Sequence, residues 1–386
     1  MDRPNQPDAP GGILQNDGAN GSPGSLLDAD WMNGFITEHI HLIIASGQTP
    51  DASDLSQIRK AVEALGGGGG GLVNRVINGT FQVWQRGDFG HVFDIAPDPQ
   101  YTADRWEVQS DGAGGAGVGQ VSHGTDATQP GVVDGTWDYL RYEALVAANT
   151  GGPRIRTKLE ALRELSDKRC TFSFVARAEL AIAMNVQVTR VIGPNRVVIL
   201  DESVQVLQTW GEHSVSFDMD SLAGVTFSAV DNSHLEIEFR LPNLDSNVID
   251  IGRAQLEANA SASEFEERAF EIEYLLCRRY FQSSLQHGER PASGNLSRVV
   301  VDGSASFPFR FMNVRLVPQM RTVPSFTFFD LAGTAGRLSW EGTSGIFGGA
   351  NSATLSRSAL PAVTMVGGGP STETPCQFNY WADAEL

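Results

Sequence analysis

Asn78-Gly79-Thr80-Phe81-Gln82-Val83-Trp84-Gln85-Arg86-Gly87, followed shortly by Tyr101-Thr102-Ala103-Asp104-Arg105-Trp106, is the part of the chain that decides its fold. Both segments are rich in aromatic and β-prone residues, and they bracket a loop built of Gly, Pro and Asp. Such a pair reads as the opening of a β-sandwich. Trp84 and Trp106 occupy strand-like positions and are read as core, with stacking on a sugar as the alternative. Arg86, Asp104 and Arg105 are read as a polar network that fixes the intervening loop. Asn78, Gly79, Phe81 and Tyr101 complete the motif and are read as structural.

Downstream the chain is strand after strand. Cys170-Phe172-Phe174, Ile182-Met184-Val186-Val188, Val215-Phe217-Met219 and Leu235-Ile237-Phe239 each alternate with mostly polar residues, the last against Glu236, Glu238 and Arg240. Period-two alternation marks antiparallel strands with one dry and one wet face. A helical stripe of Phe270, Tyr274, Cys277 and Phe281 interrupts the pattern, and β-prone runs return from about residue 284 to Phe378-Tyr380. The expectation is a mainly β protein: a jelly-roll-like antiparallel sandwich over 72–268, a linking helix over 269–283, and a second, smaller β-sandwich over 284–386.

Upstream the text is different. Residues 1–27 are rich in Pro, Gly, Asn and Asp. Trp31, Phe35, Ile36, Ile40, Ile43 and Ile44 then recur at helical spacing, and Gly47 ends the run. Leu55, Ile58, Val62 and Leu65 step like a short coiled-coil seam, with Asp51 or Asp54 as cap. Helices this short need a partner, so residues 1–65 are read as an oligomerisation and attachment region. Gly66 to Gly71 follow as a flexible linker.

Composition bounds the partners. With 46 acidic against 28 basic residues the formal charge is −18, and such a surface repels phosphate backbones and anionic lipid. Nucleic acid and membrane insertion are not expected, and no signal peptide is read at the N-terminus. Cys170, Cys277 and Cys376 are far apart in apolar contexts and are read as core.

Three parts of the chain resemble bacteriophage tail-fibre and virion-appendage proteins. Residues 29–58, with Ala29-Asp30-Trp31-Met32-Asn33, Gly47-Gln48-Thr49-Pro50 and Gln57-Ile58, are similar to the attachment end of many fibres. The opening quoted above resembles their "NGxFxxWQRG … YTADRW" text. Gln255-Leu256-Glu257, Phe265-Glu266-Glu267-Arg268 and Leu276-Cys277-Arg278-Arg279-Tyr280-Phe281 resemble the "QLE … FExR … LCQRYY" close of the same domain. The body also resembles jelly-roll carbohydrate-binding modules, with Ile249-Asp250-Ile251 to Leu256 as closing strand. In that family an acidic residue after the Phe helps ligate a structural calcium. Gln82 stands there in this chain, which removes a carboxylate and weakens the case for the ion.

The resemblance implies a virion protein: a homo-oligomer, expected as a trimer, mounted on other virion proteins through residues 1–65 and adhering to a host-surface glycan or receptor. A head-attached fibre or decoration protein, a soluble carbohydrate-binding module and a glycan depolymerase are the alternatives. Trp137, Tyr139, Trp210 and Trp340 lie near expected loops and are the candidates for glycan contact. His39 and His41 would share a face on a strand and bind metal in a trimer, but the periodicity around them is helical, so no metal or other cofactor is expected. No GxSxG, HExxH or P-loop occurs, and no enzyme is expected.

Overall fold

A computed structural model describes residues 29–51, 54, 56–58, 60–61, 73–87, 91–95, 98–109, 119–131, 135–145, 152–225, 227, 232–243, 246–292, 299–301, 315–340, 343–350, 363–365 and 376–386. The chain forms two compact units, Met1–Val73 and Asn74–Leu386. In the first, helix α1 (Ala29–Ala45) ends at Gly47, whose φ of +80° lets the chain turn out of the helix. Phe35, Ile36, Ile40 and Ile44 remain between 37% and 54% exposed, while Ile43 is buried. His39 and His41 both lie on α1, where two residues apart means divergent directions. His39 Nδ1 is 2.6 Å from the Phe35 carbonyl. Gln57, Ile58, Lys60 and Ala61 are helical. Leu55, Val62, Leu65, Gly66–Gly71 and residues 1–27 lie outside the described residues.

The second unit is mainly β. In chain order its first strands are β1 (Phe93–Ile95), β2 (Gln100–Tyr101), β3 (Trp106–Gln109), β4 (Gly119–Asp126), β5 (Trp137–Ala144) and β6 (Arg154–Leu159). After a helical turn, α2 (Leu162–Leu165), come β7 (Arg169–Ala178), β8 (Ile182–Ile192), β9 (Asn195–Val206), β10 (Gly211–Asp218), β11 (His234–Arg240) and β12 (Asn247–Glu257). They form two six-stranded antiparallel sheets, β1-β4-β5-β12-β7-β10 and β2-β3-β6-β11-β8-β9. The result is a jelly-roll-like sandwich. The inner residues of the alternating runs fill it: Trp106 stacks on Phe239 at 6.0 Å and 14°, and Phe172 and Phe174 pack on the same ring.

Glu236 and Glu238, expected on a wet face, are 3% and 4% exposed. Arginine stems from neighbouring positions cover them. Arg196 reaches Glu236 at 2.6 Å, Arg240 lies 3.1 Å from Glu238, and Arg156 with Lys158 holds Glu107 on β3. Burial opposes ionisation of Glu236, yet the nearby His234, the hydrogen bond from Arg196 and the Arg156 charge hold its pKa down to about 2. This outer face is a neutralised ladder of charge.

Helix α3 (Phe270–Arg278) is shorter than the sequence suggests, because Phe281 enters a strand, β13 (Phe281–Ser283), opposite Asp383. Then follow β14 (Val299–Val301), β15 (Ser325–Phe329), β16 (Arg337–Trp340), β17 (Thr343–Ala350), β18 (Val363–Met365) and β19 (Cys376–Asp383). β19 organises them, pairing with β13, β14, β15 and β16. Phe307, Phe309, Phe311 and the Cys376 side chain lie outside the described residues. Cys170 and Cys277 are buried free thiols.

The opening motif ties these parts together. Asn78, at φ +59°, exchanges hydrogen bonds with Val83 through its side-chain amide (2.9 and 3.0 Å) and donates to the Asp104 carbonyl at 2.9 Å. Its own backbone N–H donates to Glu273 on α3 at 2.8 Å, and the Trp106 indole donates to its carbonyl at 3.0 Å. Asp104 accepts from Gln85 and faces Arg86 at 3.4 Å. Burial pushes its carboxyl up to about 6 despite the guanidinium beside it. Arg86 continues to Asp383 (3.0 Å) and Glu385 (3.4 Å), over the Phe281 ring. Arg105 pairs with Glu385 and the Lys158 carbonyl, over the Tyr280 ring. Trp84 and Trp106 are wholly buried, and Tyr101 donates to the Leu386 carbonyl at 3.3 Å. Gly79 is required by contact rather than by φ: a Cβ there would lie 2.1 Å from the Ala254 carbonyl oxygen, whose residue donates back to Gly79 O at 2.8 Å.

Two outcomes follow. Gly79→Ala should lower unfolding free energy by about 2 kcal/mol or more, whereas Gly211→Ala, with nothing nearer than 3.4 Å, should be close to neutral in the same urea titrations. His287 Nε2 accepts from the Trp84 backbone N–H at 3.0 Å, and burial lowers its pKa below 6.5. The unfolded chain therefore takes up the proton first, so its stabilising contribution is whole above pH 6.5 and is lost as pH falls through the folded-state value. His287→Gln, which keeps an acceptor, should flatten the pH dependence of the melting temperature below pH 6.5.

Candidate functional site

The sheet β1-β4-β5-β12-β7-β10 carries a different outer surface. Register places Asp250 on β12 opposite Arg141 on β5 and Arg177 on β7, so the three side chains stand in a row. Arg141 clasps both Asp250 oxygens (2.8 and 2.9 Å), and Arg177 Nε donates to the same carboxylate at 2.8 Å. Arg177 also reaches Asp126 at 2.7 Å. Its guanidinium lies 4.7 Å from the Trp210 ring centre and 5.7 Å from that of Tyr139, and these two rings meet edge to face at 5.4 Å. A cleft of about 290 Å³ opens beside the row, lined by Arg141, Arg177, Gln208 and Asp250.

A bulge in β12 between Gly252 and Gln255 turns Arg253 to φ +50°. Its guanidinium sits 4.9 Å from the Trp137 ring and 5.2 Å from Phe265, which contact each other edge to face. Gly131, at φ +77°, leaves the room: a Cβ there would come within 2.8 Å of Arg253 Nη1. That nitrogen donates to the Pro130 carbonyl, while Nε, like Thr80 Oγ1 and Gln129 Oε1, has no hydrogen-bond partner among the described residues. Burial lowers the Arg253 pKa, opposed by Glu212, Glu264 and Glu267. Two clefts meet at Gly131. One, of about 500 Å³, is lined by Ser173, Glu212, Ser214, Arg253, Glu264 and Phe265. The other, of about 340 Å³, is lined by Thr80, Gln82, Trp137, Asp138 and Glu267.

Three of the four aromatic candidates therefore share this surface. Trp137 and Trp210 are half-buried, but Tyr139, expected near a loop, lies inside β5 and is 5% exposed. Its ring serves to position Arg141 and Arg177 rather than to meet a ligand. Trp340 is in β16, with its side chain outside the described residues. The motif residues Asn78, Gly79, Phe81, Trp84, Arg86, Tyr101, Asp104, Arg105 and Trp106 belong to the buried knot. Among the described residues no three His, Cys, Asp or Glu side chains cluster as metal ligands. Arg141, Arg177 and Arg253 were not singled out by sequence, and Asp250 and Phe265 entered only as motif residues, not as site candidates. Asp250 did leave a signal, a charge between Ile249 and Ile251 in a run that is otherwise core.

The architecture defines a sandwich with one aromatic and arginine-rich face. No family model and no curated protein matches the sequence. Among solved structures, the chain is similar to a CBM4 structure (17% identity over 47% of this chain and 99% of that one, TM-score 0.31). It is similar also to the N-terminal cellulose-binding domain of Cellulomonas fimi β-1,4-glucanase C (14%, 45% and 99%, TM-score 0.29). A third likeness is to the enzymatically active domain of bacteriophage CBA120 tailspike protein 4 (13%, 48% and 21%, TM-score 0.30).

Asp250 is 3% exposed and accepts from two arginines. Asp250→Asn should destabilise by about 2 kcal/mol in chemical denaturation, because Arg141 loses its carboxylate partner and Arg177 keeps only Asp126.

Proposed function

We propose that this protein is a homo-oligomeric appendage of a tailed phage or phage-like particle, mounted through residues 1–65, and that the outer face of the β1-to-β10 sheet binds host-surface glycan without cleaving it. One observation carries the glycan reading: on one sheet face half-buried Trp137 lines one of two clefts that meet at Gly131, and half-buried Trp210 packs on Arg177, whose side chain lines a third. Flat rings match the apolar face of a pyranose, and the charged groups match its hydroxyl rim. The appendage reading rests on the motif text and on the apolar stripe of α1, which awaits sister helices. Many copies on one particle turn weak single contacts into firm adhesion.

Trp137→Ala with Trp210→Ala should weaken retardation in gels containing host polysaccharide at least about tenfold, equivalent to about 1.4 kcal/mol, with little change in melting temperature. Unchanged retardation overturns the assignment of this face. New reducing ends in the polysaccharide would overturn the non-catalytic reading, and labelled antibody that fails to decorate particles would overturn the appendage.

A further inference from the structure

The groove formed by the two clefts that meet at Gly131 has a definite electrostatic sign. Among the described residues that line it, Arg253 is the one arginine or lysine, and it is already engaged. Nη1 is held by the Pro130 carbonyl, and the guanidinium plane is enclosed by Trp137 and Phe265. Its side chain is 9% exposed, and Nε is buried, so what it offers a ligand are the remaining N–H groups of Nη1 and Nη2. Glu212, 4.0 Å from Nη1, already competes for those N–H groups, so an anionic ligand would have to displace a carboxylate to reach them. Against it stand Glu212, Glu264 in the same cleft, and Glu267 in the next, together with Asp138, whose Oδ1 lies 2.6 Å from His123 Nε2. His213 adds no positive charge at neutral pH, since burial lowers its pKa. The net charge of −18 extends the same sign beyond the groove.

Carboxylates that repel anions are good acceptors for sugar hydroxyls. Glu212 and Glu264 can each accept from a neutral sugar, and the outer N–H groups of Arg253 can donate to a ring or hydroxyl oxygen. A ligand bringing its own carboxylate would be placed beside several like charges, a repulsion that salt screens because Glu212, Glu264 and Glu267 are exposed.

We infer that this groove selects uncharged glycan chains, hexose or N-acetylhexosamine polymers, and rejects those bearing uronic acid or sulfate. The inference rests on the glycan-binding reading of this face and adds to it the chemical class of the ligand.

Matched polymers test it. Glucan, galactan, mannan and N-acetylglucosamine oligosaccharides would each be titrated calorimetrically beside their own C6-oxidised form, which keeps every linkage and adds only carboxylates. The full chain would be used at about 0.01 M and about 0.15 M salt. The expected result is that at least one neutral member binds about tenfold tighter than its oxidised partner, with the gap narrowing at the higher salt. Glu212→Gln with Glu264→Gln, both at exposed positions, should narrow the gap further by raising affinity for the oxidised form. Equal or tighter binding of the oxidised form by the wild-type chain overturns the selectivity while leaving glycan binding intact, as does a gap untouched by the double substitution. If no member of any pair binds, the glycan reading itself falls and the inference with it.

Discussion

A buried carboxylate between two backbone segments is what the second unit hangs on. Asp104 is wholly inside, accepts from Gln85 and faces Arg86, while Asn78 stitches the strand on either side to it. An ionised group so placed is tolerated only where charge and hydrogen bonds surround it. That requirement explains the company it keeps: Arg86 and Arg105 under aromatic rings, Glu385 shared between them, and Glu273 presented by α3. It also explains why Asn78, Phe81 and Arg105 accept positive φ values that side chains disfavour. Geometry imposed by a polar network outweighs the local cost.

The two outer faces of the sandwich treat the same chemistry in opposite ways. On the sheet carrying β11, arginine and lysine stems lie down over glutamates and close the surface. On the sheet carrying β12, Asp250 draws Arg141 and Arg177 into a fixed row, Arg253 is lifted by a bulge, and clefts remain between the aromatic rings. One face is finished and the other is left available. The difference arises from where the aromatic residues fall in the register, since Trp137, Tyr139 and Trp210 all lie on the second.

The inner half of the sandwich was legible in the sequence because alternation is a local property. Phe172, Phe174, Ile237 and Phe239 point inward as their spacing demands. The outer half was less so. Glu236 and Glu238 look solvated in sequence, and their burial depends on arginines contributed by β6 and by β9, whose positions are set by strand pairing. The candidate site divides similarly. Trp137 and Trp210 could be chosen by residue type alone, but their meeting with Arg177 and Arg253 depends on β12 lying between β5 and β7, a neighbour relation spanning over a hundred residues that no window of sequence contains. The helical end of 269–283 was misjudged for the same reason: Phe281 fits the helical stripe, and pairing with β19 overrides it.

The knot joins residues very distant along the chain. Arg86 and Asp383 are 297 positions apart, and Arg105 and Glu385 are 280 apart. During synthesis the two guanidiniums emerge from the ribosome long before their carboxylates exist. The sandwich strands can collapse in the interval, but its floor stays open until β19 arrives. Until that floor closes, Arg86 has only Asp104 as its carboxylate and Arg105 only the Lys158 carbonyl, so the two cations reach full neutralisation last.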